Sequence, residues 1–525
     1  MPRIASHRSS LSDKRVVVIG AGPGGLASAM LLAAAGFEVT VIERELKVGG
    51  RTSTFEQDGF RFDRGPTFFL FPEVLEQIFN LCGRNLRDEV MLERLDPNYR
   101  LVFEQGGELD ATCDVARLKA AVAKLCPQDA AGIEHYLADN RRKFEKFRPI
   151  LEAPFTRHTD VLKLPLLELL PLMRPWASVD ADLRRHFRDP RTRLAFSFQS
   201  KYLGMSPFKC PSLFTILAFL EYEFGVFHPR GGCGAITDAM ARVATEMSVD
   251  IRLGEPAREL DFDGRRIRRV RTDRRTYPAD ALVINADFAN AMRRLVPQRL
   301  RRRWTDARID GTKMSCSTFM LYLGVEGTYP DVAHHTIYLC DRYAEHLDSI
   351  DLDHVLPREP SVYVHNPSLI DPTVAPPGMS SLYVLVPVTH AHPNVDWSVA
   401  QDAYKDEVLQ RLERFGMTGL RKRIRTEAVF TPENWQRDFD LYKGSTFSLA
   451  HTLGQMLSLR PHNRFDDLEG VYLVGGGTHP GSGLPVIFQS ARISTQLLAD
   501  DLGVAHAWGR ANGPSCMAPL GAEAH

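Results

Sequence analysis

The chain has 525 residues, which is too long for a single hydrophobic core, so we expect two or more domains. Hydrophobic residues make up 44% and charged residues 25% of the chain, the balance of an ordinary globular protein. Lysine plus arginine and aspartate plus glutamate both number 65, which leaves no net field to attract nucleic acid, and no nucleic-acid partner is expected.

The eight cysteines are scattered and include no Cys-x-x-Cys pair. Neither a zinc site nor a disulfide framework is indicated, so we predict no metal and a reducing, cytoplasmic compartment. Residues 1–14 lack the apolar core of a signal peptide and are expected to form a disordered lead. Residues 16–37 carry no charge, but the glycines in their middle indicate a strand, a turn and a helix, so no transmembrane helix is predicted.

A strand, a glycine turn, a helix and a second strand are predicted near the start of the chain. Gly20, Gly22 and Gly25 follow an apolar β-branched run in G-x-G-x-x-G spacing, which gives a tight turn and lets the backbone approach a pyrophosphate. Glu43 ends the second strand, where an acid accepts hydrogen bonds from an adenosine ribose and disfavours NADP. The sequence therefore predicts a dinucleotide site; a glycine turn that serves packing alone is the alternative.

Gly49, Gly50 and Arg51 come just after this second strand. The segment resembles an extension found in flavoproteins of the glutathione-reductase-like superfamily, especially amine oxidases and carotenoid desaturases, in which it lies along the FAD pyrophosphate. The resemblance implies FAD as the cofactor; a glycine loop with a solvated arginine is the plain alternative. It also places Gly65 and Pro66 near the flavin ring, although a Gly-Pro turn fits an ordinary loop as well.

The middle of the chain predicts a second domain. Residues 99–112 read as a hairpin around two glycines, which suggests antiparallel strands. Two apolar stretches come next, a leucine-rich run broken by prolines at 161–176 and an aromatic run at 210–227. Buried core is the default interpretation of both stretches. The alternative is an apolar tunnel or a patch that dips into a membrane surface.

From Pro229 the pattern returns to a glycine turn, an amphipathic helix and a series of strands that ends at Asp287. This order resembles the returning half of the FAD domain in the same superfamily. Strand-like runs at 318–324 and 381–387, with a helix at 399–415, predict a second visit to the substrate domain. The residues after Gly503 show no periodicity and are expected to be disordered.

The run at 470–490, GVYLVGGGTHPGSGLPVIFQS, predicts a buried strand, a glycine loop and a helix with Pro485 in its first turn. Together with GVFHPRGG and TVAPPG, it resembles the signature of the bacterial and fungal type phytoene dehydrogenases, the carotenoid desaturase family. The resemblance extends from residue 15 to about residue 503. It implies contacts with the flavin half of the cofactor by Gly476, Gly477, Gly483, Leu484, Pro485 and Val486, and with the ADP half by the first glycines, Glu43, Gly50 and Arg51.

The fold implied by the resemblance is α/β, with a Rossmann-like FAD-binding domain of the glutathione-reductase-like kind. This domain is interrupted by an α+β substrate domain that has an antiparallel sheet and a helical, membrane-facing part. After the lead, the FAD-binding segments are predicted at 15–95, 229–305 and 463–503, the substrate segments at 96–228 and 306–462, and the tail at 504–525.

The function implied is desaturation of a linear isoprenoid, such as phytoene or its C30 counterpart, with hydride transfer to flavin N5 and peripheral association with a membrane. No second G-x-G-x-x-G is present, so quinone or oxygen is the expected electron acceptor. His479 is the best candidate for the proton because it lies in the flavin-facing loop and imidazole titrates near neutrality, although it could equally hold the loop backbone. Lys201, Tyr222 and His228 are weaker candidates that also fit ordinary boundary positions.

Three other functions are compatible with the sequence. A flavin amine oxidase shares the first motif but leaves the THPGSGLP loop unexplained. A carotenoid isomerase would use reduced flavin without net oxidation. A prenyl-binding chaperone of the GDP-dissociation-inhibitor kind resembles the same scaffold without FAD, and the intact glycines and Glu43 argue against it.

Overall fold

The computed structural model describes residues 13–157, 159–160 and 166–507. The strands in these residues, in chain order, are β1 (Arg15–Ile19), β2 (Glu38–Ile42), β3 (Thr54–Gln57), β4 (Phe60–Asp63), β5 (Phe69–Leu70), β6 (Leu92–Arg94), β7 (Tyr99–Phe103), β8 (Glu108–Ala111), β9 (Val226–Pro229), β10 (Asp250–Arg252), β11 (Ala257–Asp263), β12 (Arg266–Thr272), β13 (Thr276–Pro278), β14 (Ala281–Ile284), β15 (Ser317–Glu326), β16 (His335–Leu339), β17 (Val362–His365), β18 (Met379–Val388), β19 (Ile424–Phe430) and β20 (Val471–Leu473).

The α-helices in the same residues are α1 (Pro23–Ala34), α2 (Glu73–Leu81), α3 (Leu86–Glu89), α4 (Val115–Leu125), α5 (Gly132–Glu152), α6 (Leu166–Met173), α7 (Val179–Leu183), α8 (Pro190–Ala195), α9 (Ile216–Phe224), α10 (Gly234–Glu246), α11 (Phe288–Leu295), α12 (Asp306–Asp310), α13 (Tyr343–Asp348), α14 (Trp397–Arg414), α15 (Leu420–Arg423), α16 (Pro432–Phe439) and α17 (Leu484–Asp501).

A parallel sheet with the strand order β10-β2-β1-β14-β20 forms the first layer of the fold. The apolar run of β1 is buried on both faces, as a central parallel strand requires. Val16 and Val18 point into the core shared with α1, α10 and α17, whereas Val17 and Ile19 point into the core beneath the meander β11-β12-β13. The sheet therefore has a helical layer on one face and a β-layer on the other, and it joins segments from both ends of the chain.

A second, mixed sheet has the order β19-β15-β18-β17-β16-β7-β8. All its pairings are antiparallel except that of β16 with β7. The hairpin predicted at 99–112 is present as β7 and β8 at one edge of this sheet. The predicted strands at 318–324 and 381–387 are β15 and β18, which pair along their whole length, and the predicted helix at 399–415 is α14.

The helical part between β8 and β9 contains the two apolar stretches. Residues 161–165 of the first stretch lie outside the described residues, and the next element is α6, a short helix with Pro171 inside it. The second stretch divides into a short 3-10 turn, α9 and β9, and most of its side chains are buried. β9 pairs with β5 on one side and β6 on the other.

Among the described residues, no helix has the length and apolar character needed to cross a membrane. The uncharged run at 16–37 is divided between β1 and α1, as the glycines in it predict. The predictions of a disordered lead and tail concern residues that lie almost wholly outside the described part of the chain.

Candidate functional site

The carboxyl edge of the parallel sheet gathers loops from distant parts of the chain. The first glycine loop follows β1, Glu43 follows β2, the segment from Asn285 to Asp287 follows β14, and the terminal glycine loop follows β20. In open parallel sheets, the crevice outside the carboxyl ends of the strands is where ligands bind. These loops therefore form one candidate site.

The first glycine loop is built so that side chains would not fit. Gly20 has a φ of +98°, and a Cβ there would lie 2.3 Å from the carbonyl oxygen of Asn285. A Cβ at Gly25 would lie 1.9 Å from the carbonyl oxygen of Gly20, so the start of the helix packs directly on the turn. At Gly22 the nearest atom would be the Asn285 Nδ2 at 3.0 Å, which leaves this position facing the crevice. The three glycines thus have the roles that a dinucleotide turn requires.

Two helices begin at this edge without a side-chain cap. Gly22 precedes α1 and Gly483 precedes α17; neither helix has a capping side chain or an acidic residue in its first turn among the described residues. The two starts lie side by side, because a Cβ at Gly24 would lie 2.6 Å from the Val474 side chain and 2.9 Å from that of Ile487. Free N–H groups and the positive ends of two helix dipoles therefore face the same crevice, an arrangement that fits an anionic cofactor.

Glu43 lies at the end of β2 and is 7% exposed. Its Oε2 accepts the Ala21 N–H at 2.7 Å and its Oε1 accepts the Glu45 N–H at 2.9 Å. Burial raises the pKa of Glu43, while these two backbone hydrogen bonds act to lower it. An ionised carboxylate has about four acceptor sites, so Glu43 keeps acceptors for the hydroxyls of a ribose.

The segment of Gly50 and Arg51 lies against the first glycine loop. A Cβ at Gly50 would be 3.6 Å from the Gly22 Cα. The Arg51 guanidinium donates to the Thr446 carbonyl oxygen, burial lowers its pKa, and Asp287 acts in the opposite direction. Burial raises the pKa of Asp287 to about 6. The segment thus brings a buried guanidinium, which suits a phosphate, to the edge with the helix starts.

Gly65 and Pro66 follow β4 and join this edge to the mixed sheet. A Cβ at Gly65 would lie 2.7 Å from the Arg51 carbonyl oxygen. The Tyr383 hydroxyl donates to the Gly65 carbonyl oxygen at 2.7 Å, and Tyr383 belongs to β18. The Gly65 backbone is therefore held between the first cofactor segment and the substrate-domain sheet, the junction where a reactive ring would meet its substrate.

The terminal glycine loop is held from beneath by a side chain that sequence reasoning missed. Arg460 is fully buried and donates to the carbonyl oxygens of Gly476 at 2.6 Å and Thr478 at 3.2 Å. Burial lowers the pKa of Arg460 to about 9, so the guanidinium still carries its charge at neutral pH. A Cβ at Gly477 would lie 2.7 Å from the Phe288 side chain, which leaves no room for a larger residue.

After this loop, Gly483 has a φ of +105° and leads into α17, whose first residues are Leu484, Pro485 and Val486. Pro485 lies in the first turn, where its missing N–H leaves no bond unmade. The predicted flavin contacts of the terminal segment therefore all lie in the glycine loop and the uncapped first turn of α17. Their contact with the cofactor stays a prediction.

His479 does not have the environment that its place in the sequence predicts. Its side chain is fully buried, its Nε2 donates to the Ala153 carbonyl oxygen at 3.1 Å, and its ring packs edge-on against Phe155. Burial lowers its pKa to about 3, so the imidazole stays neutral at pH 7 rather than titrating near neutrality. The contact joins the terminal loop to the end of α5, which is the backbone-holding alternative for this residue.

Lys201 and Tyr222 lie apart from His479, in the helical part of the chain. Lys201 belongs to the 3-10 helix Phe198–Leu203 and lies beside Cys316, the pKa of which is raised by burial and lowered by Lys201. Tyr222 is buried in α9, stacks on Phe196 at a centroid distance of 4.7 Å, and has a pKa raised by burial. Tyr222 therefore stays protonated, and neither residue contacts the glycine loops through a described hydrogen bond.

Sequence reasoning also missed Glu221, a fully buried acid next to Tyr222 on α9. Its Oε2 accepts the Tyr99 hydroxyl at 2.9 Å and the Gln199 amide at 3.1 Å. Burial raises its pKa to about 7, against the lowering effect of these hydrogen bonds. The sequence pattern did not single out this acid, because it lies inside an apolar run that indicated ordinary core.

Aromatic rings join Glu221's surroundings to the Gly65 junction. Phe68 follows that junction closely in sequence, and its ring centroid lies 5.5 Å from that of Tyr202 and 5.4 Å from that of Tyr363. Phe68 also stacks on His335 at 4.1 Å. The rings of Phe68, Tyr202 and Tyr363 are half-buried, whereas His335 is buried. The region between the two sheets and α9 is thus an aromatic layer, suited to hold an apolar chain.

The chain is similar to known flavoproteins over nearly its whole length. The family model of flavin containing amine oxidoreductases matches residues 23–498. A 4,4'-diapophytoene desaturase (4,4'-diapolycopene-forming) of Methylomonas sp is 39% identical over 93% of this chain and 96% of its own. A phytoene desaturase (lycopene-forming) of Pseudescherichia vulneris is 38% identical over 93% of this chain and 100% of its own.

Among solved structures, an oxidoreductase from Methanosarcina mazei aligns with a TM-score of 0.62 at 18% identity, covering 91% of this chain and 98% of that one. At this identity the likeness shows the shared α/β fold. The family match and the glycine edge identify FAD as the cofactor, and the residues present fit it. This chain is a FAD-dependent oxidoreductase of the flavin containing amine oxidoreductase family and belongs to its carotenoid desaturases.

Proposed function

We propose that this chain introduces double bonds into a linear isoprenoid, either phytoene or its C30 counterpart diapophytoene. The observation that carries the proposal is that relatives named for both substrates match nearly the whole chain at similar identity. The aromatic layer around Phe68 supports it, because a hydrocarbon chain needs apolar walls and few polar anchors.

When bound, FAD supplies the hydride acceptor for such a reaction. The chain's part is to hold the cofactor through Glu43 and the two uncapped helix starts, and to bring the Gly65 junction against the aromatic layer. Holding the substrate in line with the cofactor then supplies much of the rate.

We propose that loss of the proton needs no strong base, since conjugation spreads the positive charge that develops on a polyene. His479 then positions the terminal loop through its bond to Ala153 and remains neutral. Lys201 and Tyr222 stay predictions as proton acceptors. The expected electron acceptor is a quinone or oxygen, which pigment synthesis with and without oxygen and added quinone would test.

A host that makes only C40 or only C30 precursors provides the direct test. We expect pigments that absorb at longer wavelength in at least one host, and the responding host names the substrate. An unchanged precursor in both hosts, with FAD bound and quinone supplied, would contradict desaturation and favour an isomerase or an amine oxidase.

We also propose peripheral association with a membrane through a patch formed by Leu170, Trp176 and Phe208. These side chains are 38%, 73% and 38% exposed, which is high for large apolar residues. The segments of Trp176 and Phe208 lie side by side, since the Val179 N–H donates to the Cys210 carbonyl oxygen at 2.9 Å. A long hydrocarbon substrate could enter from the bilayer here without crossing water.

Flotation with liposomes tests this patch. We expect the wild-type protein to float and the double variant Trp176→Ser, Phe208→Ser to stay at the bottom of the gradient. Val399 is 77% exposed on α14, an element that contributes no residue to the patch, so Val399→Ser is the matched control and is expected to float. Equal flotation of all three proteins would contradict this location.

A further inference from the structure

A cluster of buried histidines lies between β9 and the mixed sheet. His228 belongs to β9, His334 directly precedes β16, and His365 ends β17. They are 1%, 8% and 2% exposed. One ring nitrogen from each lies within 4.8 Å of the corresponding nitrogens of the other two. Three segments that are far apart in sequence thus bring three imidazoles to one point.

The ring nitrogens at this point lack protein partners. The Nδ1 of His228, both ring nitrogens of His334 and the Nε2 of His365 are buried and have no hydrogen-bond partner among the residues that the structure describes. A buried polar atom left without a partner costs about 1–3 kcal/mol.

Asp371 fixes the orientation of the His228 ring. The His228 Nε2 lies 3.0 Å from the Asp371 Oδ2, which also accepts the Gly231 N–H at 2.6 Å. Because a carboxylate oxygen accepts, the Nε2 donates its hydrogen to Asp371, and the buried Nδ1 is left without a partner among the described residues. Carboxylate, histidine and metal in this order are the common arrangement around a bound ion.

A small cavity adjoins the cluster. Its volume is about 10 Å³, and its walls include His228, His365 and Asp63. A volume of this size holds a single water molecule or ion. Arg61 also lines the cavity, but its guanidinium lies 3.9 Å from both Glu56 and Asp238, so its charge is balanced from the other side.

We propose that His228, His334 and His365 bind one divalent transition-metal ion of the zinc type, with Asp371 as the carboxylate that orients His228. Neutral imidazoles suit zinc and its neighbours in the first transition row, whereas magnesium and calcium prefer oxygen ligands. The site goes beyond the proposed desaturation, because it lies in the substrate domain and uses no residue of the glycine loops. It differs from the sequence-based expectation of no metal, which relied on closely spaced ligand motifs.

The bound ion would join the small sheet of β9 to the mixed sheet of β16 and β17. These two sheets enclose the segment of Thr67 and Phe68, since the Thr67 hydroxyl lies 2.7 Å from that of Tyr363 and Phe68 stacks on His335. An ion that binds only the folded protein raises the melting temperature. Its role is therefore to hold the aromatic layer in place.

Direct titration of the FAD-loaded protein tests the site without using its activity. The protein is dialysed against a chelator, titrated with zinc chloride alone, and its metal content is measured by mass spectrometry. We expect one tightly bound zinc per chain and a rise in melting temperature. Asp371→Asn is expected to weaken zinc by about 10–100-fold, and His334→Gln to remove the tight site, with the flavin absorbance of both variants retained as the check on folding.

A second histidine triplet provides the matched control. His354, His390 and His392 have ring centroids 4.4 to 6.1 Å apart, but each Nδ1 already has a hydrogen-bond partner. His392→Gln is expected to keep the tight zinc. If wild-type protein binds no zinc on titration, or if His392→Gln removes it while His334→Gln does not, the proposed site is wrong, and a water molecule is the occupant of the cavity.

Discussion

The cofactor edge and the interior around α9, β9 and the mixed sheet are built on opposite principles. At the cofactor edge, glycines bring backbone N–H groups and two helix starts to a crevice, and few side chains take part. In the interior around α9, β9 and the mixed sheet, buried polar side chains such as Glu221 and the three clustered histidines lie in an aromatic environment. The cofactor edge depends on space that side chains leave free. The polar interior depends on the protonation state and the hydrogen-bond partners of individual side chains.

The two regions therefore differ in the amino-acid substitutions that they tolerate. A crevice lined by backbone is destroyed by adding atoms. A site built from a buried acid or imidazole is lost when the polar atoms of that group are removed. The contribution of the group to the free energy of unfolding varies with pH. Four substitutions test this contrast, from the largest expected effect to the smallest.

Adding a side chain at the cofactor edge is expected to have the largest effect. Gly22→Val should abolish FAD binding, because the new Cβ enters the crevice beside Asn285 where the pyrophosphate must approach. The measurement is flavin absorbance of the purified protein. Gly454→Val is the control, since no atom lies within 4 Å of a Cβ there and its backbone is not left-handed. Full flavin content in Gly22→Val would contradict the site.

Glu221→Gln is expected to change how stability depends on pH. The pKa of Glu221 is about 7 in the fold against an ordinary value of 4.5, so its contribution to stability is present below pH 4.5 and is lost as pH rises through 7. Because the effect is about 1.4 kcal/mol per pH unit, the free energy of unfolding falls by at most about 3 kcal/mol. Glutamine mimics the protonated acid and should flatten this loss in denaturant unfolding.

Glu223→Gln is the control for this variant, because Glu223 lies on the same helix and pairs with Arg141 at the surface. Its unfolding curve from pH 5 to pH 8 should run parallel to that of the wild type. The same parallel course for Glu221→Gln would mean that the fold does not raise the pKa of the buried acid.

Glu43→Ala is expected to weaken FAD binding by about 1–3 kcal/mol, the loss of hydrogen bonds to a charged acceptor. The measurement is fluorescence titration of the protein freed of FAD. Glu45→Ala changes an exposed acid two residues further on and should leave affinity unchanged. Equal affinities for the two variants would show that Glu43 does not bind the ribose.

His479→Gln is expected to have the smallest effect. Glutamine keeps a donor for the Ala153 carbonyl oxygen, so pigment yield should stay close to that of the wild type, with a stability cost below about 1.5 kcal/mol. A general base would instead lose about 10²–10⁴ in rate. A loss of that size with FAD retained would restore His479 as the proton acceptor.

The cofactor edge could be predicted from sequence because its requirements are local. One short stretch contains Gly20, Gly22, Gly25 and Glu43 at fixed spacing. The residues of the terminal loop, Gly476 and Gly477, are likewise neighbours in sequence. The parallel sheet, the hairpin of β7 and β8, and the long strands β15 and β18 were likewise recognisable from apolar runs and turn residues.

The polar interior could not be predicted in this way, because its members approach one another only after folding. His228 and His334 come from different segments, and Glu221 stands inside an apolar run that indicated plain core. Arg460 belongs to no motif, yet it fixes the terminal loop from beneath. The surroundings of His479 could not be predicted either, because its ring is enclosed by Phe155 and the end of α5, which are far from the terminal loop in sequence.

The order of strands in the parallel sheet also bears on how the protein is made. β20 pairs with β14 from the middle of the chain, and α17 packs on α1 from near its start. A growing chain on the ribosome therefore carries β14 as an open edge until β20 emerges, and such edges invite pairing with other chains. The cofactor crevice is likewise incomplete until β20 and α17 have been made and have joined the sheet.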